Sequence, residues 1–308
     1  MTGDFTTTSA RDLMAQTFPP PRWAVPGLIS EGLTVLAGAP KLGKSWLCLD
    51  LAAGIGGRGQ VLGKLDVETG PVLYAALEDT PRRLQSRLRK VLDGGDVPYG
   101  LDFTTELPRG RSLDSLERWS DDHPDARLVV VDVLRKITPP AAKGMSAYEA
   151  DYAAMGQLKR FADDRRLAVV AVHHTRKMPG EDGDPFQEIS GSVGITGSAD
   201  TNIVAKRGRE DGTAVLHVQG RDVDADAYGL SWVDLTCTWQ IDDRPAVELE
   251  LTDVQIRIRR AVAENPGIRP REIALRTAIP EGTVKSTVTR LRDAGRLESV
   301  NGGYRIAA

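Results

Sequence analysis

The sequence predicts an α/β protein: a mostly parallel central sheet extended by antiparallel strands, followed by a small basic domain built on helices. Three observations carry this. Apolar, β-branched runs alternate with amphipathic ones between Leu33 and His174. After Gly197, strand-like runs follow one another across Gly turns with no helix between them. Residues 251–308 then change both charge balance and periodicity.

Taken in order, residues 1–22 are polar, end in three prolines, and suit a loose arm leading into the body. The body, residues 23–241, opens with "LTVLAG" and "SWLCLDLAAGI". "PVLYAALED" with "PRRLQSRLRKVL", then "RLVVVDVL" with "AYEADYAAMGQLKRFADDRR", then "LAVVAVHH" continue the alternation. Short strands separated by helices require crossover connections, hence parallel strands buried on both faces. "ADTNIVAKRGREDGTAVLHVQGR" and "YGLSWVDLTCTWQI" read as antiparallel strands added to that sheet. "DDRPAVE" is polar and holds a proline, so residues 242–250 are expected to link the body to a domain over 251–308.

With 308 residues, 41% hydrophobic and 27% charged, the chain is neither disordered nor a coiled coil in composition. The net charge of −3 hides an asymmetry. Residues 251–308 carry eleven Arg and Lys against six acids, a balance of +5, and the remainder is at −8. Only the C-terminal part is therefore suited to approach a polyanion. Two distant cysteines, Cys48 and Cys237, lack partner ligands at metal spacing, which implies buried thiols in a reducing compartment. The start lacks a basic stretch followed by an apolar core, and no apolar run reaches membrane-spanning length. A cytoplasmic protein with no membrane partner is expected.

The chemistry is concentrated in Gly38-Ala39-Pro40-Lys41-Leu42-Gly43-Lys44-Ser45, a full match to G-x-x-x-x-G-K-[ST], with Trp46 next to it. A strand runs into it and a helix leaves it. In that setting the loop's N–H groups face an anion, Lys44 reaches the β and γ phosphates, and the Ser45 hydroxyl meets Mg²⁺. "RLVVVD" ends in Asp132, the expected second holder of the Mg²⁺. Glu78, closing "VLYAALE", is the candidate base for the attacking water, with Asp79 as the alternative or as a cap for the helix from Pro81. "HHTRK" ends a strand on the same edge, so His174 or its neighbours can touch the γ phosphate or relay its loss. "GIGGRG", residues 54–59, follows a helix and so reads as a helix stop, not a dinucleotide loop.

The order of phosphate loop, "ALED", "RLVVVD", "HHTRK" and "GSVGITGSADTNIVAKR" resembles the RecA/DnaB-type P-loop ATPases, most closely the RepA-like hexameric helicases of plasmids and phages. The resemblance implies a RecA-like fold, ATP and Mg²⁺ as ligands, and Glu78 as catalytic base. It implies a homo-oligomer, a hexameric ring, on single-stranded DNA, with a primase or other replication protein as a possible partner. Cations at the end of the "IVAKR" strand serve a neighbour's ATP site in that family, and Lys206, Arg207 and Arg209 match the location. Loops after "RLVVVD" and "HHTRK" line a DNA channel there. The second is acidic here, so Lys143 and Tyr148 in the first are the expected contacts.

Residues 251–308 read helix, helix, helix, hairpin, the last turning at Asn301-Gly302, and resemble a winged helix-turn-helix. Lys285, Ser286, Thr289, Arg290 and Arg292 on the third helix are the expected contacts to duplex DNA. The expected activity is an ATP-driven DNA helicase of a mobile element. The alternatives are an ATPase that remodels or loads replication or recombination proteins, and a nucleotide-switched, site-specific DNA-binding protein.

Overall fold

A computed structural model of the chain describes residues 7–108, 110–138, 147–175, 184–189 and 193–307. Its main sheet contains β1 (Gly32–Gly38), β2 (Val72–Ala76), β3 (Leu101–Thr104), β4 (Leu128–Asp132), β5 (Ala168–His174), β6 (Thr201–Arg207), β7 (Thr213–Gly220), β8 (Asp226–Val233) and β9 (Thr238–Ile241). They lie in the order β9-β8-β7-β6-β1-β5-β4-β2-β3. Every pairing from β6 to β3 is parallel, and β7, β8 and β9 join antiparallel. The mixed sheet follows the sequence pattern: crossover helices where amphipathic runs intervene, hairpins where only Gly turns do.

Helices cover both faces. α2 (Lys44–Ala53) and α3 (Pro81–Leu92) pack on one, where Leu36, Val130 and Val170 point. α4 (Ser112–Asp122), α5 (Ala147–Arg165) and α6 (Val193–Ser198) lie on the other, over Leu33, Val35, Val129 and Val169. Alternation along β1, β4 and β5 thus feeds two cores, which is why these strands are apolar without interruption. The β3–α4 unit at the sheet edge was not apparent in the sequence. Its strand "LDFT" carries only one β-favouring apolar residue in an unambiguous position, and the edge strand is half-exposed.

The chain crosses from β1 to β2 on one side of β1, while β6 pairs with β1 on the other. This reversal opens a crevice at the carboxyl end of β1, where ligands of open α/β sheets bind. Asp200, just before β6, secures the opposite, amino end of β1. Its buried Oδ2 accepts from the Leu33 N–H at 2.8 Å, and Lys159 lies 3.2 Å from its Oδ1.

Two regions differ in detail from the sequence reading. The N-terminal arm contains α1 (Ala10–Ala15), capped by Ser9, with no buried residue. α2 runs on through Gly54–Arg58 in π geometry before the stop, which falls at Gly59 in the left-handed region.

The C-terminal domain holds α8 (Asp253–Glu264), α9 (Pro270–Thr277), α10 (Glu281–Asp293) and a hairpin of β10 (Leu297–Val300) and β11 (Gly303–Ile306). Thr252 and Gln255 form a capping box at the start of α8. Ile258, Val262, Ile273, Val284, Val288, Leu291 and Leu297 fill its own core. Asn301 and Gly302 both take positive φ, which a two-residue hairpin turn of this hand requires.

Between the two, residues 242–250 are not an open tether. They include α7 (Ala246–Glu250), whose Ala246 and Leu249 pack against Val215 of β7. Glu250 pairs with His217 of β7 at 2.8 Å and with Arg296 at 2.7 Å, and Arg260 reaches Glu248 at 2.7 Å. Burial pushes the Glu250 carboxyl up, but the hydrogen bond and charge of His217, with Arg296, outweigh it and hold it below its ordinary value. A carboxyl lowered in the folded state stabilises it above the unfolded value, and that contribution disappears as pH falls through the folded value. Acidification below the ordinary glutamate range is therefore expected to loosen this junction before the body unfolds. Hydrogen exchange at residues 246–250 checks this: exchange should rise at acid pH in the wild type and already at neutral pH in Glu250→Gln.

Candidate active site

The crevice beyond β1 opens into a cavity of about 760 Å³. Its floor is the loop Pro40–Ser45. Gly43, with φ +105°, is the residue before α2, a conformation that costs a side chain and not glycine. The loop therefore turns its N–H groups and the helix N-terminus toward the cavity. Lys44 is buried, and its Nζ donates to the carbonyls of Gly38 at 2.7 Å and Ala39 at 3.0 Å. Burial lowers its ammonium from the ordinary value and Asp132 partly offsets this.

Asp132 ends β4, buried and facing the same cavity. The Tyr74 hydroxyl on neighbouring β2 donates to its Oδ2 at 2.8 Å and so fixes the carboxylate's direction. Tyr74 was not singled out from the sequence. Its position two residues into "VLYAALED", pointing to the α2 face, is the only signal it leaves. Burial, reinforced by Asp132, pushes the Tyr74 phenol and the buried Cys48 thiol well above their ordinary values, which keeps both protonated. Cys237, the second thiol, is partly exposed, contrary to the expectation of burial, because it sits in the tight β8–β9 turn at φ +56°.

The Ser45 hydroxyl makes no hydrogen bond to another described residue and lines the cavity with Asp132. Two oxygen ligands, one of them a buried carboxylate, suit a hard cation that draws its remaining ligands from phosphate and water. Among the described residues there is no cluster of three or more His, Cys, Asp or Glu able to hold a metal independently. The residues present therefore fit Mg²⁺ carried on a triphosphate.

Glu78 and Asp79, the two candidate acids, differ in their neighbours. Asp79 is consumed by Arg83 and by Arg87, the latter at 2.6 Å, and its side chain is only 7% exposed. Thr80, not Asp79, caps α3. Glu78 makes no side-chain ion pair among the described residues and lines the cavity. His174, at the end of β5, lines it too. Burial and the Lys44 ammonium lower its ring from the ordinary value, against the pull of Glu78, so it is neutral near pH 7.

The three cations at the end of β6 separate. Arg207 turns back to its own loop, its Nη2 donating to the Lys41 carbonyl at 2.8 Å, and lines the cavity of its own chain. Lys206, on the opposite side of the strand, pairs with Glu188 at 2.7 Å. Arg209 donates to the Glu250 carbonyl at 3.0 Å and so belongs to the α7 junction. Lys143 lies outside the described residues. Tyr148 is in the first turn of α5.

The cavity also gathers residues that the motifs did not mark: Arg87, Thr213, Trp232 and Trp239. The strands β7–β9 bring the last three beside the loop, a placement that only the sheet order reveals.

On α10, Val284, Thr287, Val288 and Leu291 face the core, which leaves Lys285, Ser286, Thr289, Arg290 and Arg292 on an exposed arc. Lys285 pairs with Glu281 and Arg292 with Asp293, and Arg290 carries no ion pair among the described residues.

A family model described as an AAA domain, AAA_25, matches residues 2–180. The chain belongs to this family. A second model, winged helix-turn-helix DNA-binding, matches residues 251–298. The matched span contains the loop Gly38–Ser45, Glu78 and Asp132. The sheet also superposes on solved ATPase domains. The ATPase domain of G40P aligns with a TM-score of 0.56 at 14% identity, over 68% of this chain and 84% of that one. A DnaB-like replicative helicase, solved with attention to its interactions with primase, gives the same TM-score and identity over 68% of this chain and 58% of that one. The AAA_25 chain thus shares the DnaB-like ATPase fold and carries a winged helix-turn-helix. No described helix is long and apolar enough to cross a membrane.

Proposed function

We propose that this chain is a cytoplasmic, Mg²⁺-dependent ATP hydrolase of the RepA/DnaB-like helicase type. It acts as a homo-oligomeric, hexameric ring on single-stranded DNA during replication of a plasmid, phage or other mobile element. The observation that supports this most is that Lys44, Ser45, Glu78, Asp132 and His174, from four separate segments, line one cavity at one edge of the sheet.

Each has a role that its surroundings favour. The loop's N–H groups grip the phosphates and Lys44 leaves its carbonyl partners to meet them. Ser45 and Asp132 would hold Mg²⁺, which neutralises charge on the β and γ phosphates. Glu78, the unpaired carboxylate, takes the proton from the attacking water. Arg207 faces the charge that develops on the γ phosphoryl group. Neutral His174 donates a hydrogen bond at the strand end that leads into residues 176–183. The exposed arc of α10 meets duplex DNA. A primase, named for the DnaB-like relative, is a reasonable partner for this ring.

Measuring ATP hydrolysis with and without single-stranded DNA, beside unwinding of a forked duplex, tests the reading. DNA-stimulated turnover with strand separation is expected. Stimulated turnover without unwinding would favour a remodeller or loader, and tight sequence-specific duplex binding with negligible turnover would favour a nucleotide-switched DNA binder.

A further inference from the structure

The cavity has two unlike ends. Glu78, Asp132 and His174 come from the carboxyl ends of β2, β4 and β5, on one side of β1. Trp232, Trp239 and Thr213 come from β7–β9, on the other side. A triphosphate laid along the loop with its terminal phosphate at the hydrolytic end carries its base toward the indoles.

These indoles meet edge to face, so a base can lie parallel to only one of them. Trp232 and Trp239 are cross-strand partners on β8 and β9, their rings 5.1 Å apart and edge-on. Trp46, in the first turn of α2, meets Trp232 edge-on at 6.2 Å. Arg87 lies over the Trp46 ring at 5.3 Å and is itself held by Asp79, so that indole is pinned. Trp239 closes against the loop itself: a Cβ on Gly43 would come within 2.8 Å of its Nε1. Trp239 is 6% exposed and backs the other two, while Trp46 and Trp232 are only half-buried.

What surrounds the shelf is poor in groups able to read a base edge. The Thr213 hydroxyl donates to the Glu210 carbonyl at 2.7 Å, and the Gly212 carbonyl accepts from the Trp232 N–H at 2.7 Å. The Arg87 guanidinium is committed to Asp79. Stacking on an indole is tolerant because every base presents a π face, whereas discrimination needs hydrogen-bond partners aimed at the edge.

We infer that Trp232 forms a stacking shelf for the nucleotide base, with Trp46 as a wall set edge-on beside it, which grips the ring and does not read its edge, so that the site accepts ATP and GTP alike. The inference rests on the nucleotide site proposed above and adds the groups that set its base preference.

Calorimetric titration of the full chain with MgATP, MgGTP and magnesium tripolyphosphate tests it. Tripolyphosphate reports the phosphate loop without a base. ATP and GTP should bind within about tenfold of each other, and tripolyphosphate roughly ten- to a hundredfold more weakly. In Trp232→Leu, which keeps apolar bulk without a π face, ATP should fall to nearly the tripolyphosphate affinity, with tripolyphosphate unmoved. Trp232→Phe should recover most of the loss. Since three of the five tryptophans line the cavity, ATP should also quench intrinsic fluorescence and tripolyphosphate should not. ATP affinity unchanged in Trp232→Leu, or a preference for ATP over GTP beyond a hundredfold, would overturn the shelf while leaving the phosphate loop standing. Failure of all three ligands to bind would overturn both.

Discussion

Glu78→Gln is expected to reduce ATP turnover by roughly 10²- to 10⁴-fold, the range in which a positioned general base contributes, while nucleotide affinity stays within a fewfold of wild type. The separation follows from where the side chain sits. Binding is assigned to the loop N–H groups, Lys44, Ser45 and Asp132, none of which, among the described residues, makes a hydrogen bond or ion pair with the Glu78 side chain. Glutamine keeps the size and the hydrogen-bonding capacity of the group and removes only its ability to take a proton. Folding is not at risk, because Glu78 is exposed and the local turn is held by Asp79 with Arg83 and Arg87. The matching control is Asp79→Asn. It should cost stability and disturb the Arg87–Trp46 stack, yet leave substantial turnover. Steady-state hydrolysis beside calorimetric binding distinguishes the two, and equal losses of turnover in both variants would remove Glu78 from the base role.

The contrast between these adjacent acids shows what a sequence conveys and what it withholds. A strand-end carboxylate beside a phosphate loop is readable as chemistry, because the residue type, the strand and the sheet edge are all local facts. Which of two neighbouring carboxylates is free is not local. It depends on Arg83 and Arg87, one and two turns into α3, pointing back at Asp79. The fold was readable for the same reason that Glu78 was: β1, β2, β4 and β5 are continuous apolar runs followed by helical periodicity, and β6–β9 lack intervening helices. β3 was not, because an edge strand half in solvent has no such run. The winged domain was readable from its helix stops at Asn265-Pro266-Gly267 and Gly295 and from the Asn301-Gly302 turn.

The residues that escaped notice share a cause. Tyr74, Arg87, Trp232 and Trp239 reach the cavity through strand order and helix packing. Trp232 and Trp239 are about 190 residues from the loop in sequence and beside it only because β6 pairs with β1 and the hairpins follow. No spacing rule connects them. Similarly, α7 looks like a polar linker in sequence because its five residues, with Ala246 and Leu249 on β7 and Val247 on the C-terminal core, are too few to show a period.

Arg207→Ala is expected to reduce turnover by about a hundredfold or more, as for loss of a single cationic or hydrogen-bonding group aimed at the transition state. The larger question is whose site it serves. The family resemblance places such cations in a neighbour's pocket, but here the guanidinium folds onto its own loop at the Lys41 carbonyl. Lys206 and Arg209 are committed elsewhere, to Glu188 and to α7. Arg207 is therefore expected to act within its own chain. Mixing Glu78→Gln chains with Arg207→Ala chains decides it. If both groups belong to one chain's pocket, no pocket in a mixed assembly is complete and activity stays at the level of the separate variants. If Arg207 crosses to a neighbour, an Arg207→Ala pocket beside a Glu78→Gln chain has both its base and a borrowed arginine, and turnover reappears on mixing. Recovery would place Arg207 across the subunit interface and would make the contact to Lys41 the resting position of a side chain that leaves its own loop on assembly.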